Sequence, residues 1–143
     1  MIEYIVHLKL LVLKKQPLTI AIVEDHLVMR QVTNLRLSML GYEVVMEAEN
    51  GQKFLDQLSD SQTPDICMLD INMPIMNGFE TIVHLKRNWP DMVVIFLSMH
   101  DEESYSKKSM ALGADGFVKK DAPMDELKNT LLKITNNQKA LAS

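Results

Sequence analysis

Residues with chemically useful side chains stand at the ends of four short apolar runs. Asp70 ends one run and precedes a loop that contains Pro74 and Gly78. A carboxylate at the mouth of a parallel strand is placed for chemistry rather than for packing. The other three runs end in Glu24-Asp25, in Ser98 and in Lys119-Lys120. Together these side chains could serve as a nucleophile, metal ligands, a hydroxyl donor and a counter-charge.

Glu24, Asp25 and Asp70 form a set of hard oxygen ligands. Mg²⁺ prefers such ligands and is usually held by one or two carboxylates together with phosphate oxygens. Taken alone, Glu24-Asp25 would be the polar end of a strand that enters a helix. Functional sites gather charges that are otherwise unfavourable, and Asp70 and Lys120 follow other strands of the same sheet. The combination therefore predicts a magnesium site.

Strand and helix patterns alternate five times along the chain. Such alternation predicts parallel strands joined by right-handed crossovers. We therefore predict an α/β fold, with a doubly wound five-stranded parallel sheet of order 2-1-3-4-5, flavodoxin-like. Ligands of these sheets bind beyond the carboxyl ends of the strands, where the first and third strands flank the switch point. Asp25 and Asp70 should face each other there.

Local patterns support individual elements of this fold. Apolar residues recur at helical spacing from Val28 to Met39, and Gly41 is a suitable cap for the end of that helix. Residues 42–48 form a mixed pattern that predicts an edge strand. The last helix should begin near Pro123, because proline suits the first turn.

The predicted helix over residues 101–112 differs from the others. Its first nine residues are polar apart from Tyr105. A helix with so small an apolar face packs loosely or waits for a partner. We expect it to be the surface most able to move, the alternative being an ordinary solvated helix.

The chain resembles the receiver domain of bacterial two-component response regulators over residues 18–135. In that family the key lysine lies three residues after an aromatic, and counting from Phe117 gives Lys120 rather than Lys119. Glu-Asp-His near the start and Lys-Asp-Ala after the last strand are most similar to receivers that precede a helix-turn-helix DNA-binding domain. The resemblance rests on Glu24-Asp25, Asp70 with its Met-Pro-x-Met-x-Gly tail, Ser98, Lys120 and the run 113–121.

The resemblance implies a role for each site residue. Asp70 would accept a phosphoryl group from a phosphohistidine. Lys120 would pair with a phosphoryl oxygen, and Ser98 would donate a hydrogen bond to another. The expected cofactor is Mg²⁺, bound directly by Asp25 and Asp70, by Glu24 through water and by the backbone carbonyl of Asn72.

The resemblance also implies a switch and its partners. Ser98 would swing to the phosphoryl group, and Phe117 would fill the vacated space and reshape the nearby surface. The expected partners are a sensor histidine kinase or phosphotransfer protein and, after phosphorylation, a second copy of the chain. DNA would be bound only through an output domain absent from this chain, and no membrane is expected. Such a domain is a switch rather than a turnover enzyme, although its own groups catalyse gain and loss of the phosphoryl group.

Three alternatives remain at this stage. A magnesium-dependent phosphatase with an aspartyl-phosphate intermediate usually carries a second Asp two residues after the nucleophile, where this chain has Asn72. A degenerate receiver that only binds a partner is disfavoured by the intact acidic pair, Asp70 and Lys120. A single-domain regulator acting through protein contacts would keep all of these residues.

Composition bounds the class of protein. The chain has 143 residues, enough for one domain, and its net charge of −4 argues against binding nucleic acid through a basic face. A single cysteine, Cys67, excludes a disulfide framework and is predicted to be a buried hydrophobe, so the cytoplasm is the expected compartment. We divide the chain into an N-terminal extension of unknown role at 1–17, a receiver domain at 18–136 and a tail or linker at 137–143.

Overall fold

A computed structural model of the chain contains a five-stranded parallel sheet of order β2-β1-β3-β4-β5, which confirms the predicted topology. The structure describes residues 1–7, 18–99 and 103–142, with side chains through residue 136. Residues 2–7 are helical and exposed. The strands are β1 (Thr19–Val23), β2 (Glu43–Ala48), β3 (Ile66–Asp70), β4 (Val93–Ser98) and β5 (Gly116–Lys119). The helices are α1 (Leu27–Met39), α2 (Gly51–Gln57), α3 (Gly78–Asn88), α4 (Glu103–Ala111) and α5 (Met124–Ala142).

The central strands are buried on both faces, as their continuous apolar sequences require. One face packs against α2 and α3 through Phe54, Ile82 and Leu85. The other face packs against α1 and α5 through Leu37 and Leu127. Because helices cover both faces of the sheet, the polar groups at the carboxyl ends of the strands are the part of the sheet that a ligand can reach.

The structure agrees with the predictions for β2 and for the end of α1. β2 lies at the edge of the sheet and alternates exposed with half-buried residues, as predicted. Gly41 follows α1 with a φ of +88°, the left-handed conformation that favours glycine. The amides of Gly41 and Tyr42 donate to the carbonyls of Ser38 and Leu37, respectively. These two carbonyls at the end of the helix would otherwise lack a hydrogen-bond donor.

Helix α1 turns most of its apolar residues away from the core. Val28, Val32, Leu35 and Met39 are between 43% and 71% exposed, whereas Leu37 is fully buried. Their spacing predicted the helix correctly but did not identify the face that packs. The exposed residues therefore form a surface stripe, which we call the α1 stripe.

Helices α4 and α5 differ somewhat from their predicted limits. α4 begins at Glu103, while Asp101 and His100 lie outside the described residues. Its Tyr105 ring stacks on Phe79 at 6.0 Å between centroids, so one aromatic contact joins α4 to α3. α5 begins directly after Pro123 and continues to Ala142, beyond the predicted domain limit at residue 136. Within the described ranges, no helix has the length and apolar character needed to cross a bilayer.

Candidate functional site

The carboxyl ends of β1, β3 and β5 bring an acidic pair, an aspartate and a lysine together. Lys120 Nζ lies 2.6 Å from Glu24 Oε2 and 3.1 Å from Asp70 Oδ1. All three side chains are less than a tenth exposed. Residues far apart in sequence meet here because parallel strands end at the same edge of the sheet.

Asp70 is in an unusual electrostatic environment. It is 5% exposed, and its Oδ1 atom accepts a hydrogen bond from the Ile71 amide at 2.8 Å. Burial and then the negative charge of Glu24 raise the pKa of Asp70 to about 7, although Lys120 opposes the shift. The carboxylate form therefore needs more positive charge than Lys120 alone supplies.

Lys120 remains a cation in this site. Burial works to lower its pKa, but the ion pairs with Glu24 and Asp70 outweigh burial and raise the pKa overall. Its backbone amide donates to the Ser98 carbonyl at 2.9 Å, which fixes the start of the turn after β5. The lysine selected by counting from Phe117 is thus the one that contacts Asp70.

The remaining predicted residues surround this charged group. Asp25 is exposed at its rim, and Asn72 is exposed in the loop after β3. Ser98 is buried at the end of β4, in register with Lys119. Phe117 is half-buried in β5 and packs against the core cluster beneath α3. Ser98 and Phe117 therefore lie on adjacent strands beside the site.

The carboxylates fit a divalent cation. Glu24, Asp25 and Asp70 each offer an oxygen within 4.8 Å of the other two. The donors are hard oxygens, and three negative charges stand against the single positive charge of Lys120. Mg²⁺ suits such a site, because it needs only one or two carboxylates and keeps several waters.

The loop after Asp70 is held by backbone contacts that sequence reasoning did not identify. The Gly78 amide donates to the Ile71 carbonyl at 2.8 Å, and Asn77 and Glu80 form a reciprocal capping box at the start of α3. Ile75 adopts a φ of +69°, which is unfavourable for a β-branched residue. The capping pattern Asn-x-x-Glu was present in the sequence, whereas nothing local indicated the strained residue.

Two arginines of α1 also contact the backbone around the site. Arg30 Nη1 donates to the Glu24 carbonyl at 2.7 Å, and Arg36 Nη1 donates to the Lys120 carbonyl at 3.1 Å. Neither arginine was predicted as a site residue. Arg36 and Lys120 are 84 residues apart, so no spacing within the sequence could have paired them.

Comparison with known proteins agrees with this geometry. The family model described as response regulator receiver domain matches residues 20–132. The transcriptional regulatory protein DegU of Brevibacillus brevis is 37% identical over 109 residues, which are 76% of this chain and 46% of DegU. The nitrate/nitrite response regulator protein NarL of Escherichia coli K12 is 35% identical, over 82% of this chain and 54% of NarL. The chain thus spans about half the length of these two relatives.

Solved structures show the same likeness. The signal receiver domain of a NarL response regulator from Mycobacterium tuberculosis has a TM-score of 0.73 and 28% identity, over 82% of this chain and 95% of that domain. A CheY-like receiver domain protein from Methanospirillum hungatei has a TM-score of 0.75 over 87% of this chain, at 24% identity. The second likeness concerns the fold alone.

Proposed function

Because the chain belongs to the response regulator receiver family, we propose that it accepts a phosphoryl group on Asp70 and changes its binding surface in response. The observation that supports this most directly is the buried Asp70 carboxylate in contact with Lys120, 3.1 Å away. Burial of an acid with no packing role, beside one cation and another acid, is typical of a functional group. Asn72 stands where phosphatases with an aspartyl-phosphate intermediate usually carry a second Asp as general acid, which disfavours the enzymatic alternative.

The covalent step forms a bond between an Asp70 carboxylate oxygen and phosphorus. The phosphorus–nitrogen bond of a phosphohistidine breaks, and the electron pair stays on the imidazole nitrogen, which takes up a proton. Lys120 balances charge on the transferring oxygens, and the Ser98 hydroxyl donates to one of them. Hydrolysis of the aspartyl phosphate by water returns the chain to its resting form.

We further propose that Asp25, Asp70 and the backbone carbonyl of Asn72 would bind Mg²⁺ directly and that Glu24 would bind it through water. When bound, the ion supplies positive charge at the phosphoryl oxygens. In this arrangement Asp70 serves both as a metal ligand and as the nucleophile. Lys120 can then turn from the carboxylates toward the incoming group.

Phosphorylation from a small donor tests this proposal. Incubation with acetyl phosphate and Mg²⁺ should add the mass of one phosphoryl group at Asp70, measured by mass spectrometry. Asp70→Asn should remove the modification, because the amide cannot act as the nucleophile. Chelation by EDTA or the Asp25→Asn substitution should reduce it strongly, because charge on the oxygens is then uncompensated.

The neighbouring lysines provide a matched control. Lys120→Ala should slow phosphorylation or uncouple it from the surface change, while Lys119→Ala should behave like the wild type. A phosphoryl group that maps to Ser98 or to a histidine would contradict the assignment of Asp70. Equal effects of the two lysine substitutions would contradict the role given to Lys120.

The partner that donates the phosphoryl group is proposed to be a sensor histidine kinase or a phosphotransfer protein. The α1 stripe supports a helical partner, because its exposed residues Val28, Val32, Leu35 and Met39 follow the 4-3-4 spacing of a helix-packing seam. α1 begins two residues after Asp25, so a partner on the stripe would lie next to the site.

Val32→Glu separates partner docking from the chemistry at Asp70. It places a charge in the middle of the α1 stripe without touching the core. With a purified histidine kinase that phosphorylates the wild type, the variant should accept phosphate at least tenfold more slowly, a loss of about 1.4 kcal/mol in docking. Phosphorylation by acetyl phosphate should be unchanged. An unchanged rate from the kinase would exclude the stripe as the docking surface.

Phosphorylation is proposed to act through Ser98 and Phe117. Phe117 is half-buried, and α4 contributes one buried side chain, Ser109, so the surface formed by α4 and β5 has little packing to resist a rearrangement. We expect phosphorylation or a beryllofluoride mimic to change amide hydrogen exchange in residues 98–121, or to raise self-association. Identical exchange and association in the two states would rule out this switch.

The output is proposed to be control of transcription through a domain outside this chain, since two of the relatives above are a transcriptional regulatory protein and a response regulator. The reading frame of the gene tests this. A helix-turn-helix after Ser143 would support it, and a stop codon there would favour a single-domain regulator.

A further inference from the structure

The guanidinium of Arg36 joins α1 to the turn that carries Lys120. Its Nη1 atom donates to the Lys120 carbonyl at 3.1 Å, and its Nη2 atom donates to the Ala122 carbonyl. Its Nε atom points to Met124 Sδ at 3.3 Å, at the first residue of α5. One side chain thus contacts two carbonyls of the turn after β5 and the first residue of the last helix.

These contacts complete a set of restraints on the backbone around Lys120. The Lys120 amide donates to the Ser98 carbonyl at 2.9 Å, and the Ala122 amide donates to the Lys119 carbonyl at 3.0 Å. Arg36 holds the carbonyls of Lys120 and Ala122, so each of these two residues has both its amide N–H and its carbonyl in a hydrogen bond. The reach of Lys120 Nζ depends on this backbone as well as on its ion pairs with Glu24 and Asp70, because the backbone sets where the side chain starts.

The chemistry of arginine suits this role better than that of lysine. A planar guanidinium presents several donors in a fixed fork and can hold two carbonyls at once, whereas an ammonium is a single point of charge. Arg36 also lies in the last turn of α1, where a cation interacts favourably with the helix dipole. The same helix starts just after Glu24 and Asp25, so Arg36 connects the acidic side of the site with the lysine side.

We propose that Arg36 is a positioning residue for phosphoryl transfer, holding the turn at residues 120–122 so that Lys120 reaches the phosphoryl group on Asp70. This inference rests on the proposed function, since it assigns Arg36 a role only through Lys120. A displacement of about 1 Å at a catalytic group can cost up to a hundredfold in rate, so loss of the two carbonyl contacts should be measurable.

Arg36→Met tests the proposal, because it keeps an apolar stem and removes the guanidinium. We expect the maximal rate of phosphorylation by acetyl phosphate to fall about tenfold, with little change in the half-saturating donor concentration. In the metal-free protein, amide hydrogen exchange at Lys120 and Ala122 should become faster. Arg36→Lys, which keeps one donor group, should give a smaller loss and serves if the Met variant does not fold.

Lys86→Met provides the matched control. Lys86 Nζ donates to the Met92 carbonyl at 3.2 Å and to Asp115 Oδ2 at 3.0 Å, so it is also a cation that ties a helix to the backbone. Lys86→Met should lower the melting temperature about as much as Arg36→Met does. It should leave the phosphorylation rate and the hydrogen exchange of the Lys120 and Ala122 amides unchanged.

The outcomes separate this inference from the proposed function. A wild-type chain that is not phosphorylated on Asp70 would overturn the proposed function, while the exchange at Lys120 and Ala122 would still test whether Arg36 holds the turn. A phosphorylated wild type with an equally fast Arg36→Met variant would overturn the positioning role alone. So would a loss of rate no larger than that of Lys86→Met.

Discussion

Replacing Gly78 with alanine is expected to lower the free energy of unfolding by roughly 3 kcal/mol, the upper end of the usual cost of overpacking. A Cβ atom at this position would lie 2.2 Å from the Asp70 carbonyl oxygen and 2.9 Å from both Ile71 Cα and Phe96 Cε1. Two of these three atoms belong to the backbone and cannot rotate away. The end of β3 or the start of α3 must therefore move.

Chemical denaturation of Gly78→Ala and Gly116→Ala measures this effect against a matched change. A Cβ atom at Gly116 would meet Ile134 Cδ1 at 2.8 Å, the flexible end of a side chain that can shift. Gly116→Ala should therefore cost less than about 1 kcal/mol. Equal losses at the two positions would contradict the close approach of α3 to Asp70. Because the displaced backbone carries Asp70, Gly78→Ala should also slow phosphorylation.

The fold and the charged centre of the site were predictable because both follow from regular patterns. Alternating apolar runs and helical periods determine the order of the elements, and the right-handed crossover restricts how parallel strands can be joined. Once the strand order is known, Glu24 and Asp70 must end at the same edge of the sheet. The family resemblance distinguished Lys120 from Lys119 by counting three residues from Phe117, and the contact between Lys120 and Asp70 supports that choice.

The supporting residues were not predictable, because their partners are distant in sequence and are backbone atoms. Any residue supplies a carbonyl, so the contact between Arg36 and the turn after β5 leaves no mark in the sequence around Lys120. Gly78 was read as part of a loop, whereas its place against Asp70 depends on how α3 approaches the sheet. The outward face of α1 was missed since periodicity shows that apolar residues share a side but not what covers them.

In metal-free buffer above pH 7, Asp70→Asn is expected to raise the free energy of unfolding by about 3 kcal/mol. Burial and the charge of Glu24 raise the pKa of Asp70 to about 7 in the folded chain, from 3.8 for an unperturbed carboxyl. Between these two values the folded state binds the proton that the unfolded state has released. The stability contributed by this group is therefore present below about pH 4 and is lost as the pH rises through about 7.

Urea unfolding from pH 5 to pH 8 measures this dependence. The wild type should lose stability as the pH rises, and the Asp70→Asn chain should lose much less of it. Asp91→Asn makes the same change of charge at an exposed position and should alter stability by no more than about 0.5 kcal/mol. If Asp91→Asn stabilised the chain as much as Asp70→Asn does, the gain would come from net charge rather than from the buried carboxylate.

Millimolar Mg²⁺ should remove most of this difference in stability between the wild type and Asp70→Asn. A cation that binds only the folded state stabilises it by mass action, and at a hundred times its dissociation constant the gain is about 2.7 kcal/mol. The melting temperature of the wild type should therefore rise, while Asp25→Asn and Asp70→Asn should lose most of the shift because each removes one of three clustered carboxylates. If Mg²⁺ left the wild-type melting curve unchanged, the carboxylates would not form a metal site. A resting chain destabilised by its own nucleophile, and relieved by the ion needed for phosphoryl transfer, joins the stability of the fold to the chemistry at Asp70.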